Sequence, residues 1–196
     1  MLEDGFYDVP PNKLAVIVTH LEMHARPETK QVTLPLGLTF RQVTPTLEWY
    51  RDVFTRVGTM DWLWYGRLKL SDTALQAILD DPAIAFFTLS INGVDEALLE
   101  LDFRTADECE LVYFGLTSNL IGSGAGRYLM TQAITRAWDA DIRRFHVHTC
   151  TSDSPQALEF YRRSGFTAYK REVEIDDDPR ISGVTPQTAA PAIPII

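Results

Sequence analysis

The sequence predicts an α/β chain of the α+β kind: one mixed, mostly antiparallel sheet with helices flanking it. Three observations predict this. Short runs rich in β-branched and aromatic residues alternate with turn residues, as strands do. Asn92-Gly93 joins two such runs, and this dipeptide between apolar stretches is the strongest short signal for an antiparallel hairpin. Four further stretches carry apolar residues at helical spacing, which gives the order β-β-α-α-β-β-β-α-β-α-β with no internal repeat.

Each element has its own warrant. Residues 1–12 end in Pro10, Pro11 and Asn12 and read as a loose arm, after which Leu14 to Leu21 is rich in β-branched residues and reads as a strand. A polar connection, Arg26 to Gln31, leads to a second strand, Leu36 to Val43, bounded by Pro35 and Pro45. Thr46 can cap a helix in which Leu47, Tyr50, Val53, Phe54 and Val57 share a face, and Gly58 is expected to stop it. An aromatic loop, Met60 to Arg67, follows. Ser71-Asp72 caps a short helix with Leu75, Ile78 and Leu79 as its stripe, ended by Asp80, Asp81 and Pro82.

The hairpin pairs Ile84 to Ile91 with Ala97 to Arg104, and Glu110 to Thr117 makes another strand. Gly122 to Gly126 then opens a helix whose positions 129, 130, 133, 134, 137 and 138 are apolar, a face that packs on a sheet. Phe145 to Thr151 is a strand, Ser154 to Ser164 a helix started by Ser-Pro, and Phe166 to Ile175 the last strand. Asp176, Asp177, Asp178 and Pro179 form a terminal acidic turn, expected to lie away from the chemistry. The segment Ile181 to Ile196 has no charge and contains Pro186, Pro191 and Pro194, so it is no regular helix. It is expected to lie across its own domain or a partner subunit, with disorder as the alternative.

A chain of 196 residues suits one domain that buries about 70% of its unfolded surface. Hydrophobic residues at 45% and charged ones at 23% exclude disordered, collagenous and disulfide-stapled classes. A net charge of −9 argues against nucleic acid as partner and mildly favours cationic amines. Cys109 and Cys150 are isolated, too few for a disulfide framework or a four-ligand zinc site, which fits a reducing compartment. The acidic N-terminus lacks the bases of a signal peptide, and no run of about 18 apolar residues could span a membrane, so the expected location is cytoplasmic.

The sharpest feature is a strand followed by Gly122-Ser123-Gly124-Ala125-Gly126-Arg127 and a helix. Backbone N–H groups at a helix N-terminus cradle an anion, and glycines let a phosphate come close. ATP in a P-loop would need Lys-Ser/Thr where Arg127-Tyr128 stands. A dinucleotide loop would need its third glycine at 127 and a strand opening a parallel βαβ unit, and this loop follows a hairpin-rich run instead. A plain tight turn needs fewer than three glycines in five residues.

The loop resembles the Q/R-x-x-G-x-G/A signature of the GNAT acyltransferases, and Ser154 to Phe166 resembles that family's N-x-x-A-x-x-x-Y-x-x-x-G-F helix. Both sit where the family puts them, and the element order from about Leu36 to Ile175 is similar as well. The resemblance divides the chain into an N-terminal arm and extra strand (1–35), a GNAT-like domain (36–175) and an acidic turn with an apolar tail (176–196). It implies the GNAT fold, with two splayed parallel strands, here Glu110 to Thr117 and Phe145 to Thr151, holding acetyl-CoA as co-substrate without a metal. Phe114 and Leu116 would pair with the pantetheine arm through their main chains. Gly122, Ser123, Gly124, Gly126 and Arg127 would hold the pyrophosphate, with Ser154 at the start of the second motif.

Transfer to an amine needs a base and a proton donor for the leaving thiolate. The resemblance implies Tyr161 as the donor and Glu110 as the base, with His148 or water as alternatives. His146, His148 and Cys150 alternate on one strand and so share a face, as a metal or relay site would, although a fourth ligand is missing nearby. The loop residues Trp62, Trp64, Tyr65 and Arg67 would shape the acceptor pocket, suiting an amine with an apolar body or a carboxylate, and Glu100, with Asp102 on its face, could bind an acceptor ammonium.

Two positions depart from the pattern: Ile121 stands at the Q/R position and Ser154 at the Asn position. The family's last strand is also missing after Ile175, and either the N-terminal strand or a dimer partner is expected to fill that edge. The expected function is acetyl transfer from acetyl-CoA to a small-molecule or peptide amine by direct attack in a ternary complex. The alternative is a GNAT-fold protein that binds CoA or another ligand as a sensor or assembly partner without turnover.

Overall fold

The computed structural model describes residues 3–28 and 32–195. Met1 and Leu2 of the arm, residues 29–31 of the polar connection and Ile196 of the tail lie outside the described residues. The strands are β1 (Lys13–Met23), β2 (Leu38–Val43), β3 (Ile84–Ile91), β4 (Val94–Asp95), β5 (Ala97–Asp102), β6 (Glu108–Leu116), β7 (Arg144–Cys150) and β8 (Thr167–Asp177). The helices are α1 (Leu47–Phe54), α2 (Met60–Trp62), α3 (Asp72–Leu79), α4 (Ala125–Asp139) and α5 (Ala157–Arg163).

The strands form one sheet in the order β2-β3-β5-β6-β7-β1-β8, with the short β4 paired to β3. Every pairing is antiparallel except β6 with β7. Asn92 and Gly93 turn the β3–β4 hairpin with φ of 51° and 81°, the left-handed pair such a turn requires. Two cores cover opposite faces. On one, Leu129, Met130, Ala133, Ile134 and Ala137 of α4 pack with Leu99, Leu101, Leu111, Phe145 and Val147. On the other, Tyr50, Val53 and Phe54 of α1 and Leu75 and Leu79 of α3 pack on Ile84, Phe86 and Leu98.

Three expectations change. Gly58 does not stop the first helix: a five-residue π turn, Thr55–Thr59, carries it on into α2, and Leu63 ends it in the left-handed conformation, φ 56°. Gly58 is there for space, since a Cβ at this position would overlap the Trp64 indole. The second motif helix starts at Ala157 rather than at Ser154, because Ser154 and its neighbours are used in the turn that leads in, with Ala157 N–H donating to Ser154 O at 2.8 Å. The N-terminal strand fills no edge. It lies between β7 and β8, antiparallel to both, and β8 is itself the edge strand.

The apolar tail lies against its own domain. Ala190 N–H donates to Met60 O at 2.8 Å, and Ala189 and Ala190 are fully buried beside Leu63. Burying an uncapped carbonyl costs roughly 1–3 kcal/mol, and Arg180 removes much of that cost. Its buried guanidinium pairs with Asp178 at 2.7 Å and donates to the carbonyl of Ile193 at 2.7 Å.

Candidate active site

The site begins where two strands part. β6 and β7 pair only from Glu108, Cys109 and Glu110 to Arg144, Phe145 and His146. Just beyond, β6 carries one extra residue relative to β5: Leu101 faces Leu111 while Glu100 faces Tyr113, so Val112 bulges. A bulge bends and twists its strand, and here it marks where β6 turns away from β7. Thr117 N–H bonds to Glu96 O at 2.9 Å on the β5 side, so by the two-residue period Phe114 and Leu116 aim their main-chain groups away from β5, into the opening. A cleft of about 630 Å³ occupies this opening.

The glycine loop closes one end. Gly122 and Gly124 adopt φ of 82° and 90°, which non-glycine residues reach only with strain. Ser123 is tied inward, its Oγ donating to Leu120 O at 2.7 Å and accepting from Ala125 N–H at 3.2 Å. Among the described residues the N–H groups of Gly122, Gly124, Gly126 and Arg127 make no hydrogen bond. Four unpaired donors at the N-terminus of a 15-residue helix fit the diphosphate of a CoA-type ligand. Phe114, Leu116, Gly122, Gly124, Gly126, Arg127 and Ser154 all line the cleft, and Ser123 does not.

Tyr161 lines the middle of the cleft, its ring edge-on to Phe114 and Phe166, 7% exposed. Burial, with a smaller push from the Asp153 carboxylate, raises its pKa far above the ordinary phenol value, so the hydroxyl keeps its proton. Glu110 is placed elsewhere: it lines a separate polar hollow with Asp102, Glu108 and His146. It reaches the cleft only through His148, whose Nδ1 lies 3.5 Å from Glu110 Oε1. The neighbouring imidazole lowers the Glu110 pKa, and the carboxylate raises that of His148. His148 lines the cleft. His146 turns to Glu108 at 3.5 Å, and among the described residues no three His, Cys, Asp or Glu side chains are grouped as metal ligands.

At the other end of the cleft stand Trp62, Trp64 and Tyr65. Trp64 fits because Gly58 and Gly115 lack side chains: a Cβ on Gly115 would lie 2.9 Å from its ring. Its Nε1 donates to Asp153 Oδ1 at 3.1 Å. Tyr65 donates to Asp176 Oδ2 at 3.0 Å. Arg67 and Glu100, grouped with the acceptor residues in the sequence, are withdrawn from this space. They form an ion pair beneath it, Glu100 fully buried and also accepting from the Tyr50 hydroxyl. Burial works against the Arg67 charge, but Glu100 prevails and the guanidinium pKa is raised.

A model of the acetyltransferase (GNAT) family matches residues 43–166. The chain belongs to this family. It is similar to the mycothiol acetyltransferase of Actinosynnema mirum, 25% identical over 146 residues that cover 72% of this chain and 48% of that protein. The chain thus spans about half the length of this curated relative. Among solved structures it is similar to a GCN5-related N-acetyltransferase from Sphaerobacter thermophilus, with a TM-score of 0.63, 16% identity, and 83% of this chain and 52% of that one covered. An aminoglycoside acetyltransferase from an uncultured soil metagenomic sample, in complex with trehalose, matches with a TM-score of 0.54 and 15% identity over 68% of this chain and 91% of that one. At these identities the structures show the shared fold.

Of the two positions that depart from the motifs, Ile121 is exposed, and Ser154 opens the turn into α5. Sequence reasoning missed the far wall of the cleft. Leu14 and Val16 of β1 and Glu174 and Asp176 of β8 line it, and their registers pair Leu14 with Asp176 and Val16 with Glu174. The three consecutive aspartates therefore do not form one remote turn. Asp176 meets Tyr65 and Lys69 in the cleft, Asp177 pairs with Lys13 at 2.6 Å, and Asp178 holds Arg180. Period-two alternation separates Asp176 from Asp177. Asp153 was missed too, and only its place between the strand and the motif helix could have signalled it.

Proposed function

We propose that this chain is an acetyl-CoA-dependent N-acetyltransferase that passes an acetyl group to a primary amine by direct attack in a ternary complex. One observation carries the reading: a single cleft between the splayed strands is lined by the glycine cradle, by Tyr161 and by His148. Acetyl-CoA supplies an activated thioester. The main-chain groups of Phe114 and Leu116 hold its pantetheine arm, and the N–H groups from Gly122 to Arg127 hold its phosphates.

An attacking amine must be neutral, so a base in the cleft has to accept its proton. Glu110 engages Nδ1 of His148 and leaves Nε2 to take that proton, which makes His148 the base and Glu110 its positioning residue. This supports the imidazole over the carboxylate, which does not line the cleft. Tyr161 donates a proton to the departing sulfur. Direct attack in a ternary complex needs no covalent acetyl-enzyme, and Cys150, half-buried with its thiol pKa raised by burial to about 11, is a poor nucleophile for one.

No helix is long and apolar enough to cross a membrane among the described residues, and the free thiols support a cytoplasmic setting. The exposed Val173 and Ile175 on edge strand β8 support a homodimer, which light scattering can check. Calorimetric titration with acetyl-CoA, followed by thiol release across an amine panel, tests the function. Tight binding with turnover on some amine is expected. Tight binding with none would favour the CoA sensor, a reading supported by Ile121 and Ser154.

A further inference from the structure

We infer that the acceptor is a primary amine carrying a second cationic group, a diamine or polyamine, whose distal ammonium is held by Asp153 and Glu174. This deepens the acetyltransferase reading and rests on it. The argument begins with charge in the acceptor half of the cleft. Asp153 faces it with a carboxylate that accepts from Trp64 Nε1 at 3.1 Å, Thr149 Oγ1 at 2.7 Å and Cys150 N–H at 2.8 Å. All three donors are neutral, so they fix the group without neutralising it.

Glu174 is in a like position. The ion pairs along β8 join Glu172 to Lys170 and His20, Asp176 to Lys69, and Asp177 to Lys13, which leaves Glu174 without a cation among the described residues. Lys69 is engaged by Asp176 and Arg67 by the buried Glu100, and Arg127 and Arg163, which also line the cleft, come from the glycine-loop helix and α5 rather than from the strands that carry Glu174. A carboxylate on the acceptor would meet Asp153 and Glu174 on this side of the cleft, and with Arg67 withdrawn the guanidinium that suggested an amino-acid-like acceptor is not there to receive it.

The walls agree with the charges. Trp62 and Trp64 offer aromatic surface, which attracts ammonium groups, as the Tyr65 ring beside them already holds the Lys69 ammonium 4.5 Å from its centre, and Leu14 and Val16 offer an apolar strip on which a methylene spacer can lie. A monoamine would fill the reacting position beside His148 and leave both free carboxylates uncompensated. A second ammonium satisfies them.

The test compares acceptors of matched length with acetyl-CoA: pentylamine, cadaverine and δ-aminovalerate. Cadaverine should have the highest kcat/KM, about 5- to 30-fold above pentylamine, with δ-aminovalerate the poorest, and rising salt should shrink the margin. In the double variant Asp153→Asn, Glu174→Gln the cadaverine-to-pentylamine ratio should fall towards one; the amide keeps one oxygen, enough for Thr149 Oγ1 and Cys150 N–H, and Glu174→Gln alone, which leaves the Asp153 bond to Trp64 intact, should lower the ratio as well. Equal kcat/KM for the three acceptors, or a ratio unmoved in the double variant, overturns the inference. If no amine is acetylated, the acetyltransferase reading fails instead. Calorimetry of cadaverine against pentylamine then still decides: tighter cadaverine binding that the double variant loses supports the subsite, and equal binding overturns it.

Discussion

The two ends of the cleft are built by different means. The end proposed for the cofactor is main chain: two glycines at positive φ, four N–H groups unpaired among the described residues, and the free edge of β6. Ile121 and Ser154 stand there where the family pattern has other side chains, and the glycine conformations do not depend on them. The acceptor end is side chain, drawn from β1, the loop after α2, the turn after β7, and β8. A binding site of main-chain groups is set by a local conformation, whereas one of side chains exists only when distant segments meet. Chemistry common to the family can be held by the first, and choice of acceptor is left to the second.

The sharpest way to break this contrast is at Tyr161, the side chain proposed to serve the cofactor. Tyr161→Phe should cut kcat on the order of 10³-fold with little change in CoA affinity, read by thiol release and calorimetry together. Equal kcat would remove Tyr161 as the proton donor. Next in size is the pair beneath the acceptor end. Arg67→Met leaves Glu100 buried without its cation and should cost about 3 kcal/mol of stability in urea unfolding, and adding Glu100→Gln should return part of it.

At the cofactor end Gly124→Val asks a branched residue to hold φ 90° and should weaken acetyl-CoA binding by roughly 10-fold through about 1–2 kcal/mol of strain, measured by calorimetry. The smallest effect separates the two candidate bases. Glu110 raises the His148 pKa above its ordinary value of 6.5, and the base must be neutral to act, so activity rises with pH through that raised pKa. Glu110→Gln removes the upward push and should move the acid limb of kcat/KM to lower pH. A limb that disappears with the carboxylate would make Glu110 the base.

The same contrast explains what could be read from the amino acids alone. The hairpin at Asn92-Gly93, the glycine loop and the Tyr161 helix were legible because each depends on neighbours in sequence. Arg67 was misplaced because nothing local shows that Glu100, buried on another strand, will claim it. Gly58 read as a helix stop because the indole that needs its space arrives six residues later by way of a left-handed turn at Leu63. Asp176 looked like part of a charge run until its pairing with Leu14 set it facing inward. Such facts belong to tertiary register, which no window along the sequence contains.

The position of β1 between β7 and β8 has a consequence in time. The wall that meets the acceptor needs residues 14–16 and 174–176 side by side, the longest span any pairing in this sheet must close. Loop closure over such a span is slow compared with a hairpin or a helix turn. During synthesis the glycine loop and α4 are complete while β8 has yet to leave the ribosome. The protein therefore completes its glycine loop before the strand pair that closes the far wall of the cleft.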